Sequence, residues 1–137
     1  MTLISHESYT IEIEDNILNV NAHGLFDDGA TQQYNEDMRV LVHQMQGQPW
    51  GSLVTYHGNG IFSPEAEESL TKMTKYRVKF GMVANATVIL NNVHADVQQM
   101  QLQRIYHPNH IIFHVFSDHI SARNWLSHFL QKQKLTV

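Results

Sequence analysis

The sequence contains no cysteine. This excludes disulfide staples and thiolate sites, and it suits a cytoplasmic location. Positive charge is scarce as well: nine Lys and Arg face thirteen Asp and Glu, a formal net charge of −4. Nucleic-acid binders depend on a concentrated basic footprint, so no nucleic-acid partner is expected. No apolar run approaches the roughly 18 residues of a membrane-spanning helix, so no integral membrane segment is expected. The opening MTLISHESYTIEIED has no basic n-region and no apolar stretch of secretory length, so no signal peptide is expected. Repeats, low-complexity tracts and Pro/Ser-rich linkers are also missing. What remains is 137 residues, 42% of them hydrophobic, enough for one buried core. A single domain spanning residues 1–137 is the expectation.

Periodicity then places the elements. Ser8 to Glu14 alternates, with Tyr9, Ile11 and Ile13 on one face, and Ile17 to Ala22 alternates again. Asp15-Asn16 between them reads as the turn of an antiparallel hairpin. Asp27 or Asp28 caps a helix whose apolar stripe is Ala30, Tyr34, Met38, Leu41, Val42 and Met45, and Gly47-Gln48-Pro49 ends it.

The stretch Trp50 to Phe80 is the pivot: an interior strand (Ser52 to His57), a turn (Gly58-Asn59-Gly60) and a helix. Ser63 is suited to cap that helix and Pro64 to open it, because proline's missing N–H costs nothing at the first helical position. Glu65, Glu67 and Glu68 precede Lys72, Lys75, Arg77 and Lys79, the charge order that the helix dipole favours. Ala66, Leu70 and Met73 form the inward stripe.

A mostly apolar strand follows over Ala84 to Leu90, then a weakly amphipathic helix over Val93 to Tyr106 with Val97, Met100 and Ile105 inward. His107-Pro108-Asn109 breaks the chain, and Ile111 to Phe116 is a strand. Ser117 or Asp118 caps a last helix with the stripe Ala122, Trp125, Leu126, Phe129 and Leu130, and the polar tail Gln131 to Lys134 is expected to fray. The order β-β-α-β-α-β-α-β-α predicts an α/β fold with a mixed, mostly parallel sheet and helices packed on it.

That order, from about Ile11 to Leu130, resembles the STAS-like fold of anti-sigma-factor antagonists, and more narrowly the SpoIIAA-like family of small stand-alone bacterial proteins. The closing segment carries the likeness best: Ile112-Phe113, then Ser117-Asp118, Ala122 and Trp125-Leu126. Gly81 to Leu90 is similar to the family's penultimate strand. The resemblance implies a regulatory or ligand-binding role without catalysis. In the antagonists a phosphorylated serine lies in an Asp-Ser-Ser-Gly-like motif at the start of the helix after the third strand. The corresponding residues here, Gly58 to Glu65, read GNGIFSPE and lack that motif.

Candidate chemistry is sparse. Strand-to-helix turns of open α/β sheets often hold ligands, which makes Gly58, Asn59, Gly60 and Ser63 the candidate ligand or regulatory turn. Against that role, Ser63 is explained as a helix cap, and three glutamates sit where an anion would be drawn. The glycines match neither a phosphate loop nor a dinucleotide fingerprint. Ten histidines are many for this length. Of these, His107, His110, His114 and His119 lie close in sequence, with His110 and His114 expected on one strand face. Their spacing fits no zinc-binding helix, so neither metal nor cofactor is expected. No G-x-S-x-G elbow supports a hydrolase.

Lys72, Lys75 and Lys79 fall on one helical face, a candidate surface for an acidic partner or an anionic membrane surface. The expected function is thus a non-enzymatic regulatory or protein-interaction module that binds a protein partner or a second copy of itself. A small apolar-ligand or lipid-binding protein is the alternative, and a small hydrolase a remote one.

Overall fold

The computed structural model of the chain describes residues 3–24 and 28–135, with their side chains except those at 28, 134 and 135. The elements are β1 (Leu3–Ser5), β2 (Tyr9–Glu14), β3 (Ile17–His23), α1 (Asp28–Gln44), β4 (Trp50–His57), α2 (Pro64–Lys79), β5 (Met82–Leu90), α3 (Ala95–Tyr106), a 3-10 turn (His107–Asn109), β6 (Ile112–Phe116) and α4 (His119–Leu135). The protein is α/β, with one six-stranded mixed sheet and four helices. The strands lie side by side in chain order, β1-β2-β3-β4-β5-β6. The first two pairings are antiparallel and the last three parallel.

Local chemistry explains most boundaries. Asp15 turns the β2–β3 hairpin with φ of 56°, a left-handed conformation that aspartate tolerates better than most side chains. Ser63 caps α2 by accepting from the Ala66 N–H at 3.1 Å, and Pro64 opens the helix. Asp118, not Ser117, caps α4: its carboxylate accepts from the backbone N–H of Ser121 at 2.7 Å and from the Ser121 hydroxyl. Those two bonds hold its pKa below the ordinary carboxylate value. Of the two residues expected to cap α1, Asp27 lies outside the described residues and Asp28 is the first helical residue.

Two apolar clusters lie on opposite faces of the sheet. Tyr9, Ile11, Leu18, Val20, Val54 and Tyr56 meet the inward residues of α1, α2 and α3 on one face. On the other, Leu53, Ala84, Ala86 and Val88 meet Ala122, Leu126 and Leu130 of α4. The small alanines and Gly51 let α4 sit close: a Cβ at Gly51 would lie 2.6 Å from Leu126 Cδ1. The pivot closes on itself, because the Trp50 indole N–H donates to the Phe80 carbonyl at 2.9 Å. Gly81 then turns the chain with φ of 109°, where a Cβ would lie 3.1 Å from the Gln48 carbonyl oxygen and 3.2 Å from the Trp50 ring.

Four expectations need correcting. The edge strand β1 was not foreseen; three residues carry too little alternation to read. Val97 and Met100 do not point inward: they are 40% and 58% exposed, and α3 buries Gln98, Gln101, Leu102, Ile105 and Tyr106. The tail does not fray over Gln131 to Lys134, because α4 stays helical to Leu135. His110 stands outside β6 in a left-handed conformation, so it shares no strand face with His114.

Candidate functional site

The expected ligand turn leaves β4 at its C-terminal end. Gly58, with φ of 89°, donates its N–H to the Leu90 carbonyl at 3.0 Å. The Asn59 side-chain carbonyl accepts from the Val93 N–H at 2.6 Å, and the Asn92 amide donates to the Gly60 carbonyl at 2.9 Å and to Gln98 Oε1 at 2.8 Å. Gln101 grips Phe62 twice: its Oε1 accepts from the Phe62 N–H and its Nε2 donates to the Phe62 carbonyl, both at 2.9 Å. Ser63 is committed to its cap.

Side chains of the β5–α3 loop and of α3 therefore take up the polar groups that a ligand would use. Topology points the same way. Clefts at strand ends form where strand order reverses. Here the order never reverses, and α1, α2 and α3 all lie on one face. The hydrogen bonds of Asn92 and Gln101 brace the turn against α3. The carboxylates behind it are less bare than the sequence suggests, since Glu67 pairs with Arg104 at 2.8 Å and Glu68 with Lys72 at 3.4 Å.

The second candidate, Lys72, Lys75 and Lys79, shares its surface with residues of α1. Lys72, Lys75 and Lys79 are all exposed on α2. Packing α1 beside α2 brings in Arg39, whose guanidinium carbon lies 5.7 Å from the centre of the Tyr76 ring. His43 also joins: its Nε2 is 2.8 Å from the Tyr76 hydroxyl, and its ring lies 5.2 Å from that of Phe80. Lys79 Nζ lies 5.8 Å over the Phe80 ring. The result is a basic surface with an aromatic centre (Tyr76 and Phe80, both half-buried), built from two helices. Arg39 and His43 were missed because only tertiary contact carries them there. Their spacing of four on the polar side of α1 was the available signal.

Arg77 was counted with those cations and does not belong with them. It is 2% exposed and lies inside the α1–α2–α3 layer. Its Nη2 donates to the Thr74 hydroxyl at 3.0 Å, while Nε and Nη1 are buried with no partner. A fully buried polar chain crosses the central strands on the same side of the sheet: Thr87 Oγ1 donates to Asn85 Oδ1, and Asn85 Nδ2 donates to Ser52 Oγ, each at 2.6 Å.

Several histidines are occupied by aromatic stacking. His6 stacks on Tyr9 at 4.6 Å, His23 on His57 at 4.3 Å, and His114 lies edge-on to Trp125 at 4.8 Å. His107, His110, His114 and His119, close in sequence, form no metal-binding group. Among the described residues no three His, Cys, Asp or Glu side chains form a group able to hold a metal ion. No serine hydroxyl among them is hydrogen-bonded to a histidine ring. No helix among them is long and apolar enough to cross a membrane. Comparison with protein-family models, with curated proteins and with solved structures finds no match to this chain.

Proposed function

We propose that the protein is a STAS-like regulatory module that works by binding a protein partner through the basic outer surface of α1 and α2. The observation that carries this reading is the placement of Arg39 over the Tyr76 ring and of Lys79 over the Phe80 ring, on a helix that also exposes Lys72 and Lys75, in a chain whose net charge is −4. Cations spread for solubility would not concentrate around a half-buried aromatic centre. A surface of this kind steers an acidic partner into contact and then offers it flat apolar area. The element order after the first hairpin, strand and helix in strict alternation, supports the STAS-like assignment.

The test is a binding measurement with the purified partner over a salt series. Lys72→Glu, Lys75→Glu and Lys79→Glu together should slow association roughly ten- to a thousandfold at low salt, and Lys132→Glu on α4 should leave it unchanged. Equal binding by the triple variant, or no dependence on salt, would reject this surface.

A second reading, an apolar small-molecule carrier, draws on one feature. A groove of about 880 Å³ opens between α3 and β6, lined by Met100, His107, Pro108, Ile111 and Phe113 among others. Its exposed Met100 and half-buried Phe113 suit an apolar ligand. Native mass spectra of the purified protein without a bound lipid, together with unchanged uptake of a fluorescent fatty acid by Met100→Glu, would dismiss it.

A further inference from the structure

Arg77 is the one charged side chain buried in the core among the described residues. The structure gives it almost nothing to offset that charge. No carboxylate among the described residues pairs with it; its polar neighbours are the Thr74 hydroxyl and Tyr106, whose ring centre is 5.9 Å from Cζ. Nε and Nη1 each carry N–H donors that meet no acceptor. A buried charge is ordinarily paired, and a buried guanidinium cannot escape by losing its proton. Burial works against the charge, and the neighbouring Tyr106 favours it.

Tyrosine phenols are the second observation. Tyr34 comes from α1, Tyr56 from β4 and Tyr106 from α3, and all three belong to the one core cluster that covers this face of the sheet beside Arg77 of α2. Burial raises the pKa of Tyr34 and Tyr56, so both keep their O–H protons at any physiological pH. A fixed cation beside phenols that can donate hydrogen bonds is a recognition set for one negative charge. Around it the cluster is apolar, with Met38, Met73, Leu102 and Ile105 in the same core.

We propose that Arg77, Tyr34, Tyr56 and Tyr106 form an internal anion site, and that its ligand is the carboxylate of a small organic acid. The single cation selects a monoanion. A dianionic phosphate would leave a net negative charge in a low-dielectric interior. The apolar surroundings select a short aliphatic tail over a polar one. The site lies inside the sheet–helix layer, whereas the basic surface lies outside it, so either assignment can fail alone.

The experiment uses the full chain with sodium formate, acetate and butyrate at constant ionic strength, against chloride and phosphate controls. Two signals are read: the thermal midpoint, and the NMR resonance of the Arg77 Nε–H. A carboxylate that binds only the native state raises the midpoint saturably and moves that resonance along the same curve. Arg77→Met, which keeps the volume and removes the charge, should abolish the midpoint rise. Tyr106→Phe should weaken the apparent affinity severalfold. If Arg77→Met does not fold, the wild-type resonance together with Tyr106→Phe decides the matter. No saturable response to any carboxylate, or an undiminished one in Arg77→Met, overturns the proposal. A response to chloride or phosphate alone overturns the carboxylate assignment.

Discussion

Gln101 is the residue on which the bracing of the β4–α2 turn can be tested most sharply. Its amide makes two 2.9 Å hydrogen bonds to the same residue, accepting from the Phe62 N–H and donating to the Phe62 carbonyl. It is nearly buried, at 8% exposure. In Gln101→Ala both backbone groups lose their partner away from solvent, at about 1–3 kcal/mol for each group left unpaired. Releasing the glutamine side chain from its fixed rotamer offsets about 1.5–2 kcal/mol. The net expectation is a loss of about 0.5–4 kcal/mol, or a fall in Tm of roughly 2–20 °C for a domain of this size.

Gln101→Glu separates the two bonds. The introduced carboxyl still accepts from the Phe62 N–H, but when ionised it faces the Phe62 carbonyl without a proton to donate. Burial and that carbonyl raise its pKa in the folded state above the ordinary value of about 4.3. A group with a raised folded pKa contributes stability that is present at low pH and lost as pH rises through the folded value. The deficit of Gln101→Glu relative to wild type should therefore shrink between pH 7 and pH 4.5, whereas that of Gln101→Ala should not. Urea unfolding at both pH values measures this, with hydrogen exchange at the Phe62 amide as the local reporter. A Gln101→Ala variant within about 0.5 kcal/mol of wild type, with Phe62 exchange unchanged, would refute the bracing.

Two further perturbations probe the other face of the sheet. Gly51→Ala places a methyl group 2.6 Å from Leu126 Cδ1 and 3.3 Å from the Ala84 carbonyl oxygen, an overpacking that should destabilise by about 1–3 kcal/mol. Adding Leu126→Ala should recover part of that loss, visible as a non-additive double-mutant cycle in urea unfolding; strict additivity would place the strain elsewhere. His57 is held below the ordinary histidine pKa of 6.5, first by burial and then by His23 stacked against it. Since the unfolded chain binds the proton more readily, stability is full above about pH 6.5 and declines as pH falls through that value. Tm measured from pH 5 to 8 should show a drop that His23→Gln lessens and His57→Gln removes. A drop of the same size in both variants would exclude this pair as its source.

Three elements mark how far the residues alone could be read. The start of helix α2 was legible, because its cap, its proline and its charge order are all local: each acts within one or two turns of the backbone. The first half of helix α3 was misread by one position around its axis. Its exposed Val97 and Met100 suggested the inward face, but the face that turns inward carries Gln98 and Gln101, whose partners belong to the turn after β4. A buried glutamine looks like a surface residue until its partner is known.

Arg77 is the subtler case. It continues the stripe of Ala66, Leu70 and Met73 at the correct step of four, and only its charge argued against burial. There the spacing was right and the residue type misled.

The sequence by itself determined which segments are strands and helices, β1 apart, since backbone hydrogen-bond geometry imposes a repeat of two or 3.6 on the side chains within each element. It determined, too, that strands and helices alternate after the hairpin. The tertiary structure alone decided the spatial order of the strands, the two-helix origin of the basic surface and the closure of the β4–α2 turn by α3. It also decided the enclosure of Arg77 among tyrosines from three other elements. The physical reason is that a polar or charged side chain is satisfied by whatever lies within about 3 Å of it, and in this chain those neighbours come from residues some 30 to 40 positions away.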